Sequence, residues 1–269
     1  LPFTIRLLDP PLHEFLPKLN VLEEKLKKTN SNSEEAKKIK NTIKRAIELS
    51  EQNPMLGFRG CRLGLVYPEI YEMQIRAIFN AACKLAKRKI TVIPNIMIPL
   101  VSTQEETKRL FNTVKEIGDN IIKKNNCSLN YYIGTMIELP RAAMVADKIA
   151  EYAQFFSFGT NDLTQTTFGF SRDDAEGKFL AQYIDQGILK HNPFAILDRE
   201  GVGTLMRMAV SSGRATNPEI KIGICGEHGG EPSSVAFCHH LGLNYVSCSP
   251  FRIPVARISA AHVALGLLD

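Results

Sequence analysis

Two carboxylates, two guanidinium groups and one thiol stand out in this chain, because each sits on or just beyond a short apolar run. Glu138 closes Met136-Ile137-Glu138, and Asp162 closes Gly159-Thr160-Asn161-Asp162. Two hard oxygen donors, completed by waters and substrate oxygens, make the usual Mg²⁺ site. Arg6 and Arg59 are permanent planar charges suited to bidentate contact with phosphate or carboxylate. Gly159, Thr160 and Asn161 offer backbone N–H groups where no bulky side chain blocks an anion. Cys225, between Ile224 and Gly226, carries a thiol that can hand a proton to a carbanion-like carbon. Together these predict a small, doubly anionic substrate held on Mg²⁺, with an acid above it.

These residues are far apart in the chain, so a particular fold must bring them together. Seven apolar, β-branched runs read as strands: Thr4–Leu8, Leu56–Cys61, Thr91–Leu100, Tyr131–Glu138, Phe155–Thr160, Lys221–Cys225 and Tyr245–Ser249. Helical periodicity lies between most of them, over Ile70–Arg88, Thr103–Asn120, Arg141–Gln154, Gly203–Ser212 and Ser233–Leu241. Alternating strands and helices predict a parallel sheet, and the number and length match a (β/α)8 TIM-type barrel short of its first strand. A doubly wound open sheet is the alternative. In a barrel the strand ends and the following loops form the active-site rim, which would gather the residues above. The whole chain, 1–269, reads as a single barrel domain. Residues 18–52, rich in Lys and Glu, read as a helical insertion: two solvated helices around a polar turn, with Ser33 as an N-cap. Residues 171–202 form a second long connection, of the kind used for lids or extra helices.

The composition narrows the class. The chain has 269 residues, 44% hydrophobic and 23% charged, enough for a buried core. No apolar run reaches the ~20 residues of a membrane helix, so no membrane partner is expected. A net charge of +5 suits small anions and does not require nucleic acid. Six Cys without a C-x-x-C pair read as free thiols in a reducing compartment, and Cys61, Cys83, Cys127 and Cys248 read as core filling. Cys238-His239-His240, with Cys225 and His228, fits no structural zinc spacing, and His13 and His191 read as structural hydrogen-bonding groups. Glycine-rich nucleotide signatures are absent. No signal peptide is visible at the start, which points to a cytoplasmic location with an organelle left open. The missing initiator Met predicts a processed protein or a piece of a longer one.

Six ordered segments carry a family likeness: Leu8–Phe15, Asn53–Leu63, Ile96–Val101, Gly134–Ala143, Phe156–Gln165 and Gly223–Pro232. Over almost its whole length the chain resembles the C-terminal phosphoenolpyruvate/pyruvate-binding domain of the PEP-utilising enzymes, a family that includes phosphoenolpyruvate synthase and enzyme I of the sugar phosphotransferase system. The Asp9-Pro10-Pro11-Leu12-His13-Glu14-Phe15 run and the insertion after it favour the pyruvate, phosphate dikinase branch. The resemblance implies Glu138 and Asp162 as Mg²⁺ ligands, Arg6 and Arg59 as substrate-binding residues, Gly159, Thr160 and Asn161 as the segment beside the metal, and Cys225 as the acid/base at C3. It implies Arg172 as a further phosphate contact. Phe58 stands where the family usually has His. The resemblance also implies a phosphotransferase that works with a phosphohistidine domain and an ATP-binding domain of the same parent chain, and a homodimer contact. A Mg²⁺-dependent lyase or aldolase acting through a pyruvate enolate, and a non-catalytic dimerisation module, are the other readings of the same residues.

Overall fold

The computed structural model describes residues 2–11, 16–31, 33–51 and 53–268. His13 and the end of the Asp9–Phe15 run lie outside the described residues. Six strands form one parallel sheet: β1 (Pro2–Arg6), β2 (Ile93–Ile98), β3 (Tyr132–Ile137), β4 (Phe155–Gly159), β5 (Lys221–Cys225) and β6 (Tyr245–Val246). Their spatial order is β1-β2-β3-β4-β5-β6, so chain neighbours are sheet neighbours throughout. This is barrel order; the doubly wound alternative would reverse at a switch point. The sheet is curled, because Thr4, Asn95, Tyr132, Phe155, Lys221 and Tyr245, one from each strand, line a single cavity of about 640 Å³. Among the described residues β1 pairs only with β2, and β6 only with β5. The observed architecture is therefore a half-barrel with two open edges.

The helices follow from local sequence. Helix α1 (Leu19–Lys28) and helix α2 (Glu34–Glu48) form the expected hairpin. Ser33 caps α2, its Oγ accepting the Ala36 N–H at 3.0 Å. The expected strand Leu56–Cys61 does not form. Its first residue ends a 3-10 turn, Pro54–Leu56, and its last opens helix α3 (Cys61–Val66). Gly60, between them, has φ +57°, which breaks an extended path. Helix α4 (Pro68–Lys87) buries Tyr71, Ile75, Ile78, Phe79 and Ala82 along one stripe. It starts ahead of Ile70 because proline is well suited to the first helical turn. Helix α5 (Gln104–Lys124) opens with a capping box between Thr103 and Glu106. The periodic stretch 141–154 divides at Val145 into α6 (Pro140–Met144) and α7 (Ala146–Ala150).

Helix α8 (Thr160–Phe168) springs directly from the end of β4. The long connection after it folds as α9 (Arg172–Lys178) and α10 (Leu180–Asp185) around their own small core of Ala175, Leu180 and Phe194. Helix α11 (Val202–Thr216) returns the chain to the sheet, and α12 (Pro232–His240) and α13 (Ile253–Ala264) follow β5 and β6. The main core lies between sheet and helices, where Phe156, Phe158, Ile222 and Ile224 of the central strands are fully buried. No helix among the described residues is long and apolar enough to cross a membrane.

Candidate active site

Strand register sets the site. Gly159 ends β4 and pairs with Cys225, the end of β5. Glu138 directly follows Ile137, whose partner is Phe158. Glu138, Gly159 and Cys225 therefore sit level on the C-terminal rim of the sheet. A Cβ at position 159 would stand 2.3 Å from Glu138 Oε2, so only glycine allows the carboxylate to lie across β4.

Glu138 is fully buried. Its Oε1 accepts the Leu100 N–H at 2.6 Å, while Oε2 is buried without a partner. Leu100 holds a left-handed backbone, φ +59°, a costly conformation for a residue with a branched side chain. That conformation aims its N–H at Glu138 while its carbonyl takes the Cys61 thiol at 3.2 Å. Burial, followed by the negative charges of Asp162 and Asp9, pushes the Glu138 carboxyl up to about 8.

The two arginines meet on Asp9. Arg59 Nη2 lies 2.6 Å from Asp9 Oδ2 and Nε 3.2 Å from Asp9 Oδ1. Arg59 Nη1 reaches Asp162 Oδ1 and the Met55 carbonyl, each at 3.2 Å. Arg6 Nη1 approaches Asp9 Oδ2 at 3.5 Å, with its side chain 47% exposed against 6% for Arg59. Burial raises the Asp162 carboxyl, and the Arg59 charge holds it back. Counted as ions, Asp9, Glu138 and Asp162 outnumber Arg6 and Arg59, so one negative charge is left unmatched.

That surplus, and the unpartnered oxygen of Glu138, fit a divalent cation. Among the described residues no group of three or more His, Cys, Asp or Glu is placed to hold a metal. Glu138 and Asp162 could hold Mg²⁺ as a pair, since that ion keeps several waters and takes substrate oxygens.

Cys225 is half-buried, its Sγ 3.5 Å from the Phe158 carbonyl. Burial raises its thiol above the ordinary value, and a hydrogen bond with Ser157 offsets part of this. It is therefore protonated near neutrality, the form an acid needs.

Thr160 and Asn161 are placed differently from a plain substrate lining. The Thr160 Oγ1 is buried against His228 Nδ1 at 2.7 Å and lies 3.3 Å from the Cys225 carbonyl. His228 Nε2 reaches the Pro193 carbonyl at 3.0 Å. The Asn161 side chain bonds Glu227, and its Oδ1 is buried without a partner. Arg172 pairs with Glu227 at 3.2 Å and Glu176 at 3.4 Å and lies over the Phe194 ring. Its charge is matched there, and among the described residues it does not join the Arg6–Asp9–Arg59 cluster.

Three residues of this arrangement escaped the sequence reading. Asp9 had a signal, an acid three residues beyond Arg6, yet in the sequence it stands out only as part of the Asp9–Phe15 run that carries the family likeness. His228 had only its place in a glycine-rich run and among Cys and His residues that fit no zinc spacing. Leu100 had none, because its backbone conformation is imposed by its neighbours. The five Cys and His residues of the zinc spacing, Cys225, His228, Cys238, His239 and His240, do not converge: His239 and His240 stand exposed at the end of α12, and His228 is buried against Thr160.

Comparisons with known proteins bear on this geometry. A family model described as "PEP-utilising enzyme, PEP-binding domain" matches residues 1–265. The chloroplastic pyruvate, phosphate dikinase of Flaveria pringlei is 56% identical over 268 residues, covering 98% of this chain and 27% of its own length. Pyruvate, phosphate dikinase 1 of Arabidopsis thaliana, also chloroplastic, is 54% identical over 268 residues with the same coverage. Pyruvate, phosphate dikinase 2 of Zea mays is 56% identical over 263 residues, covering 97% of this chain and 29% of its own length. The chain thus spans between a quarter and a third of these relatives. Among solved structures, a citrate lyase from Burkholderia xenovorans matches with a TM-score of 0.47 at 12% identity, covering 71% of this chain and 53% of that one.

Proposed function

The chain belongs to the PEP-utilising enzyme family, as a PEP-binding domain, and from that premise we propose that it binds phosphoenolpyruvate or pyruvate and serves the phosphoryl-transfer half-reaction of a pyruvate, phosphate dikinase. The observation that carries this reading is the rim itself. Cys225 pairs with Gly159, and Gly159 is the residue that leaves room for the unpartnered oxygen of Glu138. A proton donor and a cation-seeking carboxylate thereby border the same spot, beside two arginines.

In this reading Glu138 and Asp162 hold the Mg²⁺. The ion, when bound, supplies Lewis-acid stabilisation of negative charge developing on the substrate oxygens. Arg6, the more open guanidinium, takes the phosphate. Arg59 retains an N–H beyond its bonds to Asp9, Asp162 and Met55, and Asp9 fixes its plane. The backbone at Gly159, Thr160 and Asn161 lines the substrate. Positioning and charge neutralisation are the main demands of phosphoryl transfer. The P–O bond to the enol oxygen breaks and a P–N bond forms to a histidine supplied by another domain of the parent chain. Cys225 then delivers its proton to C3, giving pyruvate, and the thiolate regains a proton from solvent. In the reverse direction the thiolate removes one from pyruvate. Arg172 acts through Glu227, which its charge holds beside Asn161.

The parent protein supplies the phosphohistidine and ATP-binding domains and the strands that complete a (β/α)8 barrel between β6 and β1. Residues 1–269 form one domain of it, with the α1–α2 hairpin as an insertion. The exposed apolar side chains of Phe251, Ile253 and Ile258 around α13 suit a homodimer contact. The parent works in the cytoplasm or an organelle.

Solvent exchange of the pyruvate C3 protons tests the reading in the full-length enzyme. Cys225→Ala abolishes exchange while Mg²⁺-dependent binding of oxalate, an enolate mimic, persists. Retained exchange in that variant refutes the role of Cys225. Oxalate binding that is indifferent to Mg²⁺ refutes the carboxylate pair. A lyase or aldolase would bind pyruvate as well as phosphoenolpyruvate; this reading requires a preference for phosphoenolpyruvate.

A further inference from the structure

The fold brings together two thiols that the catalytic rim does not use. Cys83 lies on the buried stripe of α4, and Cys127 follows the end of α5, yet their sulfurs stand 2.7 Å apart. The approach is built into the backbone. Asn126 holds a left-handed φ of +48°, and the Asn126 and Cys127 N–H groups return to the Lys123 and Ile122 carbonyls. This turn folds Cys127 back onto α4. Lys87, one turn beyond Cys83, clamps the same place, its Nζ 3.2 Å from Asn125 Oδ1. The Cys127 sulfur also lies 3.8 Å from the Ile122 carbonyl.

We infer that Cys83 and Cys127 form an oxidisable dithiol, a modification site at which hydrogen peroxide produces an intramolecular disulfide. Cys127 is half-buried and is the entry point, whereas Cys83 is fully buried. Burial, together with the Cys127 thiol, pushes the Cys83 thiol up to about 12, so it stays protonated and leaves the first reaction with peroxide to Cys127. The Cys127 thiolate attacks peroxide: an S–O bond forms, the O–O bond breaks, and hydroxide leaves, giving a sulfenic acid. The Cys83 sulfur then attacks the Cys127 sulfur. The S–S bond forms, the S–O bond breaks, and water leaves with the Cys83 proton. Overall, two thiols and one hydrogen peroxide give one disulfide and two waters, the sulfurs losing the two electrons that the peroxide gains. The link joins the end of α4, which leads into the start of β2, to the segment leading into the start of β3. It thus lies at the end of the sheet opposite the Cys225 rim. The tether restrains the unfolded chain, so oxidation raises the melting temperature.

The test uses the full-length protein treated with hydrogen peroxide, alkylated with iodoacetamide in denaturant and mapped by mass spectrometry without reduction. The expected result is a Cys83–Cys127 linked peptide lighter by two hydrogens than its reduced parts, reversed by dithiothreitol and accompanied by a higher melting temperature. Cys83→Ala should stop at a Cys127 sulfenic acid that dimedone traps, and Cys127→Ala should leave Cys83 as a thiol. If either variant fails to fold, the wild-type map decides. Full alkylation of both cysteines after treatment, or a link to any other cysteine, overturns the assignment.

Discussion

Arg59 and Asp9 form a buried ion pair, Nη2 to Oδ2 at 2.6 Å, with side chains only 6% and 3% exposed. Asp9 also faces Arg6 at 3.5 Å, so one carboxylate orients both guanidinium groups of the rim. Removing one member of such a pair leaves a buried charge without its main partner. Asp9→Ala should cost about 3 kcal/mol in denaturant titration. It should also weaken phosphoenolpyruvate affinity more than oxalate affinity, because the phosphate relies on the arginines. Equal loss for both ligands would count against this division of labour.

The Glu138 carboxyl rises from 4.5 to about 8 on folding. A folded state that binds the proton more tightly is most stable at low pH and loses that advantage as pH rises. Without divalent ions, the melting temperature should therefore fall between about pH 4.5 and 8. Saturating Mg²⁺ should flatten the fall, and Glu138→Gln should flatten it without the ion. Thermal melts across that range in EDTA and in Mg²⁺ check both statements.

His228 holds Thr160 with Nδ1 and Pro193 with Nε2. The Pro193 carbonyl is only an acceptor, so Nε2 carries the proton. Burial lowers the ring's pKa, which leaves it neutral and Nδ1 an acceptor for the Thr160 hydroxyl. His228→Asn can keep the Thr160 bond, while His228→Gln can keep the Pro193 bond. If His228 positions the rim through Thr160, the Asn variant retains C3-proton exchange and the Gln variant loses roughly tenfold, about 1.4 kcal/mol. Equal losses in the two would identify a purely structural role.

Ser33 Oγ caps α2, far in the chain from any rim residue. Ser33→Ala should cost about 1 kcal/mol of stability while leaving C3-proton exchange unchanged. A change in exchange would link the hairpin to the site.

Much of this molecule is legible in the order of its residues. Runs such as Phe155–Gly159 and Lys221–Cys225 become strands because period and branching are local properties. Ser33 and the Thr103–Glu106 pair announce their helices because a cap needs only a few residues. Glu138, Asp162, Arg6, Arg59 and Cys225 are recognisable as reactive groups by type and by their places at the ends of runs. The stretch Leu56–Cys61 misleads, since its apolar residues mimic a strand while Gly60 turns the chain.

Tertiary structure alone decided the rest. Asp9 meets Arg59 across 50 residues, and His228 meets Thr160 across 68, through a sheet whose register no local pattern encodes. The left-handed backbone of Leu100, the unmatched oxygen of Glu138 and the pairing of Cys83 with Cys127 depend on which surfaces close on one another. Residue types state which chemistry is possible. Burial and proximity, which raise a carboxyl or bring two thiols together, exist only once the chain has folded.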